Sequence, residues 1–195
     1  MIKQALQTAA IATFLAAGPA FAGGWNLSPD ESKITFGSIK KNAVGEAHHF
    51  SGLSGTVGED GAATVDIDVA SVETWIDIRN ERMLEHVFAS ENFPKVTIAT
   101  NIDMAEVSGL AAGETTTMTT TANLSFLGKE VPVEADLFIA VLGKNKVLVT
   151  TDEMIMLSTA DLGVEPGIDE LKKLADLPSI SRVSPVSLRL VFEKN

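Results

Sequence analysis

Apolar and polar residues alternate along most of this chain, and alternation with period two marks strands that bury one face. Ile34 and Phe36 share a face in Lys33-Ile34-Thr35-Phe36. From Thr64 to Val69, the residues Val65, Ile67 and Val69 face one way and Thr64, Asp66 and Asp68 the other. Val96, Ile98 and Ile102 are in phase, as are Met118, Ala122, Leu124 and Phe126 in the Thr-rich run from Thr115. β-Branched threonines favour extended backbone. The longest alternation runs through Val131, Val133, Ala135, Leu137, Ile139 and Val141, with Glu134, Asp136 and Phe138 on the opposite face. Val147 to Met156 and Val186 to Phe192 complete the pattern.

Turn residues separate these runs. Gly58-Glu59-Asp60-Gly61, Gly128-Lys129 and Gly143-Lys144-Asn145 each predict a hairpin connection. Two segments break the strand rhythm. Thr74 to Phe88 predicts a helix capped by Thr74, with Arg79, Glu81, Arg82 and Glu85 supplying spaced charges. Ile168, Leu171, Leu174 and Leu177 predict a second short helix, entered after Pro166-Gly167 and stopped by Pro178. About eight strands joined mainly by hairpins predict an all-β, antiparallel barrel or sandwich with one or two short helices. A barrel of that size holds one small or slender ligand, whereas a sandwich fills its core, and the pattern alone fits both. No composition shift, linker or repeat divides the chain.

The first 22 residues read as a leader rather than as fold. Lys3 gives a positive start, Ala5 to Ala17 is an Ala/Leu/Ile/Phe-rich run, Gly18-Pro19 breaks it, and Ala20-Phe21-Ala22 is a small-x-small cleavage signal. The apolar run is too short to span a bilayer comfortably. The sequence therefore predicts a signal peptide over 1–22, a mature domain over 23–195, and a soluble exported product with no stable membrane insertion. Composition narrows the partners. The formal net charge of −11 argues against nucleic acid, whose phosphates are met by basic patches. The absence of cysteine excludes disulfides, thiol catalysis, thiolate metal sites and an acylated lipoprotein cysteine.

Catalytic motifs are missing. There is no phosphate-binding Gly-Lys-Ser/Thr loop, Gly-x-Gly-x-x-Gly, Gly-x-Ser-x-Gly or His-Glu-x-x-His. His48 and His49 are adjacent, so in a strand they point to opposite faces and share no metal, and His86 stands apart. Asp66 and Asp68 lie on a polar face and read as solvated surface. The sequence thus predicts no enzyme, no metal and no cofactor. Candidate ligand-binding residues come from strand phase: Ile34, Phe36 and Phe126 face a barrel interior, and His48 shares a face with Phe50. Arg79 and Arg82 suit the cradling of a polar headgroup at a cavity mouth. Met118 and Met156 are placed on the ligand wall, since methionine suits adaptable apolar surfaces.

The order of short motifs resembles the YceI-like family of periplasmic lipid- and polyisoprenoid-binding proteins. Trp25-Asn26-Leu27-Ser28-Pro29-Asp30-Glu31-Ser32-Lys33-Ile34-Thr35-Phe36 resembles its opening, and Ser54-Gly55-Thr56 precedes the alternating strand. Val69-Ala70-Ser71-Val72-Glu73-Thr74 leads into Ile78-Arg79-Asn80-Glu81-Arg82-Met83. Asn92-Phe93-Pro94-Lys95-Val96-Thr97-Ile98, Leu124-Ser125-Phe126-Leu127-Gly128-Lys129-Glu130-Val131 and Thr159-Ala160-Asp161-Leu162-Gly163 follow in the family's order. One stretch departs: many members carry a longer Arg-Asp-x-His-Leu segment where this chain reads Arg82 to Phe88. The resemblance implies a lipocalin-like extended antiparallel β-barrel with an apolar tunnel and no enzymatic activity. It implies a carrier for a long-chain isoprenoid or fatty lipid, with an isoprenoid-quinone- or haem-binding redox accessory as the alternative. A homodimer is left open.

Overall fold

The chain turns most of its alternating segments into strands that pair with their sequence neighbours. The computed structural model describes residues 24–194, so the leader predicted over 1–22 lies outside the described residues. Among the described residues the strands are β1 (Trp25–Leu27), β2 (Lys33–Lys40), β3 (Val44–Phe50), β4 (Leu53–Val57), β5 (Ala62–Asp68) and β6 (Val72–Glu73). They continue as β7 (Lys95–Asn101), β8 (Thr115–Phe126), β9 (Lys129–Gly143), β10 (Lys146–Thr151), β11 (Ile155–Ser158) and β12 (Val183–Lys194).

Eight of them close a ring in the order β1-β4-β5-β7-β8-β9-β10-β12, sealed where Trp25 pairs with Lys194 and Leu27 with Phe192. The fold is a closed antiparallel barrel, which settles the choice between barrel and sandwich.

The other four strands lengthen this barrel at one end. Val186 of β12 pairs with Phe36 of β2 on one side and with Ile155 of β11 on the other, while β3 pairs with β2 and β6 with β3. Several staves are therefore interrupted strands. β1 and β2 are separated by a 3-10 turn at Pro29–Glu31, and β5 and β6 by one at Val69–Ser71. Pro29 fixes φ and brings no N–H to a ladder. At the second break the Asp68 carboxylate accepts from the Ala70 N–H at 2.9 Å and turns the chain out of the sheet. The run predicted as one strand from Val147 to Met156 is likewise two, β10 and β11, broken at Asp152-Glu153-Met154.

At the extended end the ring does not close through strands. Helix α1 (Asp77–His86) follows β6, helix α3 (Glu165–Leu174) follows β11, and the two pack on each other to bridge the gap. Their approach depends on Gly167, where an added Cβ would lie 2.1 Å from the carbonyl oxygen of His86. A third helix, α2 (Met104–Ser108), lies beyond the one or two predicted; its N-terminus is capped by Asp103, whose carboxylate accepts from Ala105 N–H at 2.9 Å.

Thr74 does not cap α1 as predicted. It is fully buried, and its N–H and hydroxyl both donate to Oδ1 of Asn80, at 2.9 and 2.5 Å. This ties the segment before α1 to the helix's first turn.

Candidate functional site

The inward faces of the staves do not meet. They enclose a cavity of about 540 Å³, a size typical of small-molecule sites. Its wall repeats the alternation of the sequence: Val65 and Ile67 from β5, Leu124 and Phe126 from β8, Leu188 and Leu190 from β12. At the far end Trp25, Val57, Met104 and Val107 contribute, so α2 lies against that end of the barrel. At the helical end Ile76, Ile78 and Met83 come from α1 and the residues before it, and Val164, Ile168 and Leu171 from α3 and its N-cap.

An aromatic series crosses the wall. Phe36 stacks on Phe50 with centroids 5.2 Å apart, Phe50 meets Phe88 edge-on at 5.5 Å, and Phe88 meets Phe126 edge-on at 6.2 Å. Offset and edge contacts of this kind are the favoured geometries for aromatic rings.

One corner is polar, and the β2–β3 hairpin builds it. Its inward face runs Ile34, Phe36, Ser38, Lys40 along β2 and Phe50, His48, Glu46 along β3, with Phe36 opposite His48 and Ser38 opposite Glu46. Oε1 of Glu46 takes Lys40 Nζ at 2.8 Å and Arg79 Nη1 at 2.9 Å. Those two cations hold the Glu46 carboxyl below its ordinary range against an opposing effect of burial.

His48 is buried, with Nε2 3.4 Å from Ser38 Oγ. Burial first, then the charges of Arg79 and Lys40, push its pKa down to about 4, opposed by Glu46. Nδ1 of His48 and Nε of Arg79 are buried with no hydrogen-bond partner among the described residues. Arg82 sits on the same wall and donates from Nη1 to the Leu174 carbonyl at 3.3 Å, joining α1 to the end of α3.

The structure brings together most of the residues singled out from sequence. Ile34, Phe36, His48 and Phe50 line the cavity from the hairpin, Phe126 lines it from β8, and Arg79 and Arg82 line it from α1. Two do not. Met156 is 64% exposed on the outer face of β11, opposite Pro185, because Ile155 and Leu157 hold the inward positions there. Met118 has the inward phase but packs beside Ile139, Val141 and Val147, in a small cluster near the far end of the barrel, rather than on the cavity wall.

Lys40, Glu46, Ile76 and Ile78 also belong to the wall and were not predicted. Continuing the Phe50/His48 phase by one step finds Glu46, and continuing the Ile34/Phe36 phase by two, through Ser38, finds Lys40. His49 faces away from the cavity, tilted against Trp75 at 5.6 Å. Among the described residues no group of three His, Cys, Asp or Glu side chains could hold a metal ion, and no helix is long and apolar enough to cross a membrane.

Comparison with known proteins gives concordant matches. The family profile of the YceI-like domain matches residues 25–192. A polyisoprenoid binding domain from Saccharophagus degradans, implicated in plant cell wall breakdown, is 33% identical, with a TM-score of 0.86 over 88% of this chain and 98% of that one. BcnA of Burkholderia cenocepacia is 17% identical, with a TM-score of 0.66 over 85% of this chain and 98% of that one. The YCEI protein of Campylobacter jejuni is 16% identical, with a TM-score of 0.53 over 76% and 84%. The likeness to the last two is one of fold. No curated protein sequence matches the chain.

Proposed function

The chain belongs to the YceI-like family, and from that premise we propose that it is an exported carrier that holds one long-chain isoprenoid or related lipid inside its barrel. The observation that carries this reading is the cavity itself: a closed barrel whose wall is apolar over most of its length and polar at one corner. Filling that space with hydrocarbon removes it from water at about 0.8 kcal/mol per buried CH₂, before the costs of ordering the tail. The similarity to a polyisoprenoid binding domain at 33% identity supports an isoprenoid tail. The leader-like pattern of residues 1–22 supports export to the periplasm, with cleavage before Gly23.

Within this reading Phe36, Phe50 and Phe126 contact the tail, and Arg79, Arg82 and His48 contact its polar end. The protein binds rather than transforms its ligand. Ser38 and His48 approach a nucleophile–base pair at 3.4 Å, but no third group orients the ring, since Nδ1 has no partner among the described residues.

A tail-length series tests the proposal. Delipidated protein is titrated with primary alcohols of ten to eighteen carbons, and displacement of a fluorescent apolar probe is followed. Affinity is expected to rise about two- to fourfold per added CH₂ until the cavity is filled, then level. Affinity that does not depend on chain length would contradict it.

A further inference from the structure

The cavity wall carries a charge opposite to that of the protein. The chain has a formal net charge of −11. Yet the charged side chains lining the cavity, among the described residues, are Lys40, Arg79 and Arg82 against the single carboxylate of Glu46. That carboxylate is shared: one oxygen, Oε1, receives both Lys40 and Arg79. One carboxylate neutralises one cation, so the Lys40–Glu46–Arg79 group keeps a positive charge in excess, and Arg82 adds a second on the same wall. The three side chains of the group are 27%, 20% and 23% exposed, so water screens them poorly. A buried charge without a counter-charge is destabilising, and removing it from water is justified only when something compensates it.

The hydrogen-bonding inventory points the same way. The Arg79 guanidinium donates from Nη1 to Glu46 and from Nη2 to the Thr74 carbonyl, which leaves the buried Nε–H as a donor with no acceptor among the described residues. Beside it is His48, whose ring is neutral and adds no charge. When the Ser38 hydroxyl donates to Nε2, Nδ1–H becomes a second donor that lacks an acceptor. An acceptor-only group carrying negative charge satisfies both the excess charge and the free donors. An ammonium headgroup would add to the excess, and an alcohol would leave it uncompensated.

We propose that the ligand's polar end is an oxyanion, a carboxylate or a phosphate, seated at the Lys40–Arg79–His48 corner with its apolar tail running along the barrel toward Trp25 and Val107. This rests on the lipid-binding reading and adds to it a headgroup class and a direction.

Matched pairs of probes test it. Delipidated protein at low salt is titrated with hexadecanoate and hexadecan-1-ol, with geranylgeranyl phosphate and geranylgeraniol, and with hexadecylamine, all below their aggregation concentrations. In at least one pair the oxyanion is expected to bind ten times more tightly than its alcohol, with the amine weakest. Whether the carboxylate or the prenyl phosphate gains more tells which source the site serves. In Arg79→Met the tenfold preference falls to within about twofold while alcohol binding persists, and Arg79→Lys restores part of it. The wild-type ranking stands even if Arg79→Met fails to fold. Alcohols and amine binding as tightly as the oxyanions would overturn the headgroup assignment and leave the lipid-binding reading intact. A preference that survives in folded Arg79→Met would overturn it too. Binding of none of the five would overturn both.

Discussion

The hydroxyl of Ser38 lies 3.4 Å from Nε2 of His48 across the β2–β3 hairpin, and the other nitrogen of that ring has no partner among the described residues. The imidazole is thus a buried base, faced by Arg79, Lys40 and Glu46 and adjoined in sequence by His49.

This arrangement makes stability depend on pH with a definite sign. Unfolded, His48 takes up a proton near pH 6.5; folded, it does so only at about 4. Between those values the unfolded chain binds more protons, so stability falls as pH drops from 6.5 and levels off near 4. The full contribution from this residue is about 3 kcal/mol. The carboxyls of Glu46 and Asp66 are held below their ordinary range by their cationic and hydroxyl partners against burial, and add a separate loss that begins as pH falls through the ordinary carboxylate range. Urea unfolding midpoints measured from pH 7 to 4 should therefore decline in the wild type from about pH 6.5 downward. His48→Gln should stay flat until the carboxylates titrate. An identical decline in the variant would show that His48 is not the group responsible.

The three strand phenylalanines separate packing from lining. Phe126 is 7% exposed and meets Phe88 edge-on, so Phe126→Ser should lower stability by about 3–4 kcal/mol as well as release lipid. Phe36 is only half-buried against the core and lines the cavity, so Phe36→Ser should lose co-purified lipid with a smaller change in stability. Phe138 pairs with Thr117 and Thr150 on the outer face, and Phe138→Ser should retain its lipid. Lipid retention measured beside urea unfolding checks all three, and equal retention would count against the cavity as the site.

Gly167 sets the distance between the two helices at the extended end. A Cβ there would stand 2.1 Å from the His86 carbonyl oxygen, a backbone atom that cannot swing aside. Gly167→Ala should push α3 off α1 and destabilise the fold by about 1–3 kcal/mol. Because Met83, Ile168 and Leu171 line the cavity from these helices, the same change should speed exchange of bound lipid. Thermal unfolding together with the off-rate of a fluorescent lipid would read both effects, and an unaltered melting curve would mean the contact relaxes freely.

The strands were legible because one face of each is apolar, and this alternation survives whether the faces pack together or enclose a space. What it could not show is closure. The pairing of Trp25 with Lys194 joins the two ends of the described chain, a contact no local pattern encodes. The interruptions were hidden for a related reason: Val147, Val149, Ile155 and Leu157 keep one parity straight through the break at Asp152-Glu153-Met154. That same parity assigns Met156 to the outside, so its placement on the wall followed residue type against phase. The polar corner was half visible. His48 and Arg79 stood out as single residues, but Lys40 and Glu46 acquire meaning only when the hairpin register sets them beside α1, and that contact is tertiary. Thr74 matched a capping pattern, but burial and the reach of Asn80 gave its hydroxyl another partner.

The most direct measurement is native mass spectrometry of the protein recovered from its own cells, followed by denaturing release and identification of what it held. The account predicts a polypeptide beginning at Gly23, carrying one long-chain lipid per chain, with the added mass lost on denaturation. A folded protein whose native mass equals that of the bare polypeptide, and which takes up no lipid when offered one, would contradict it.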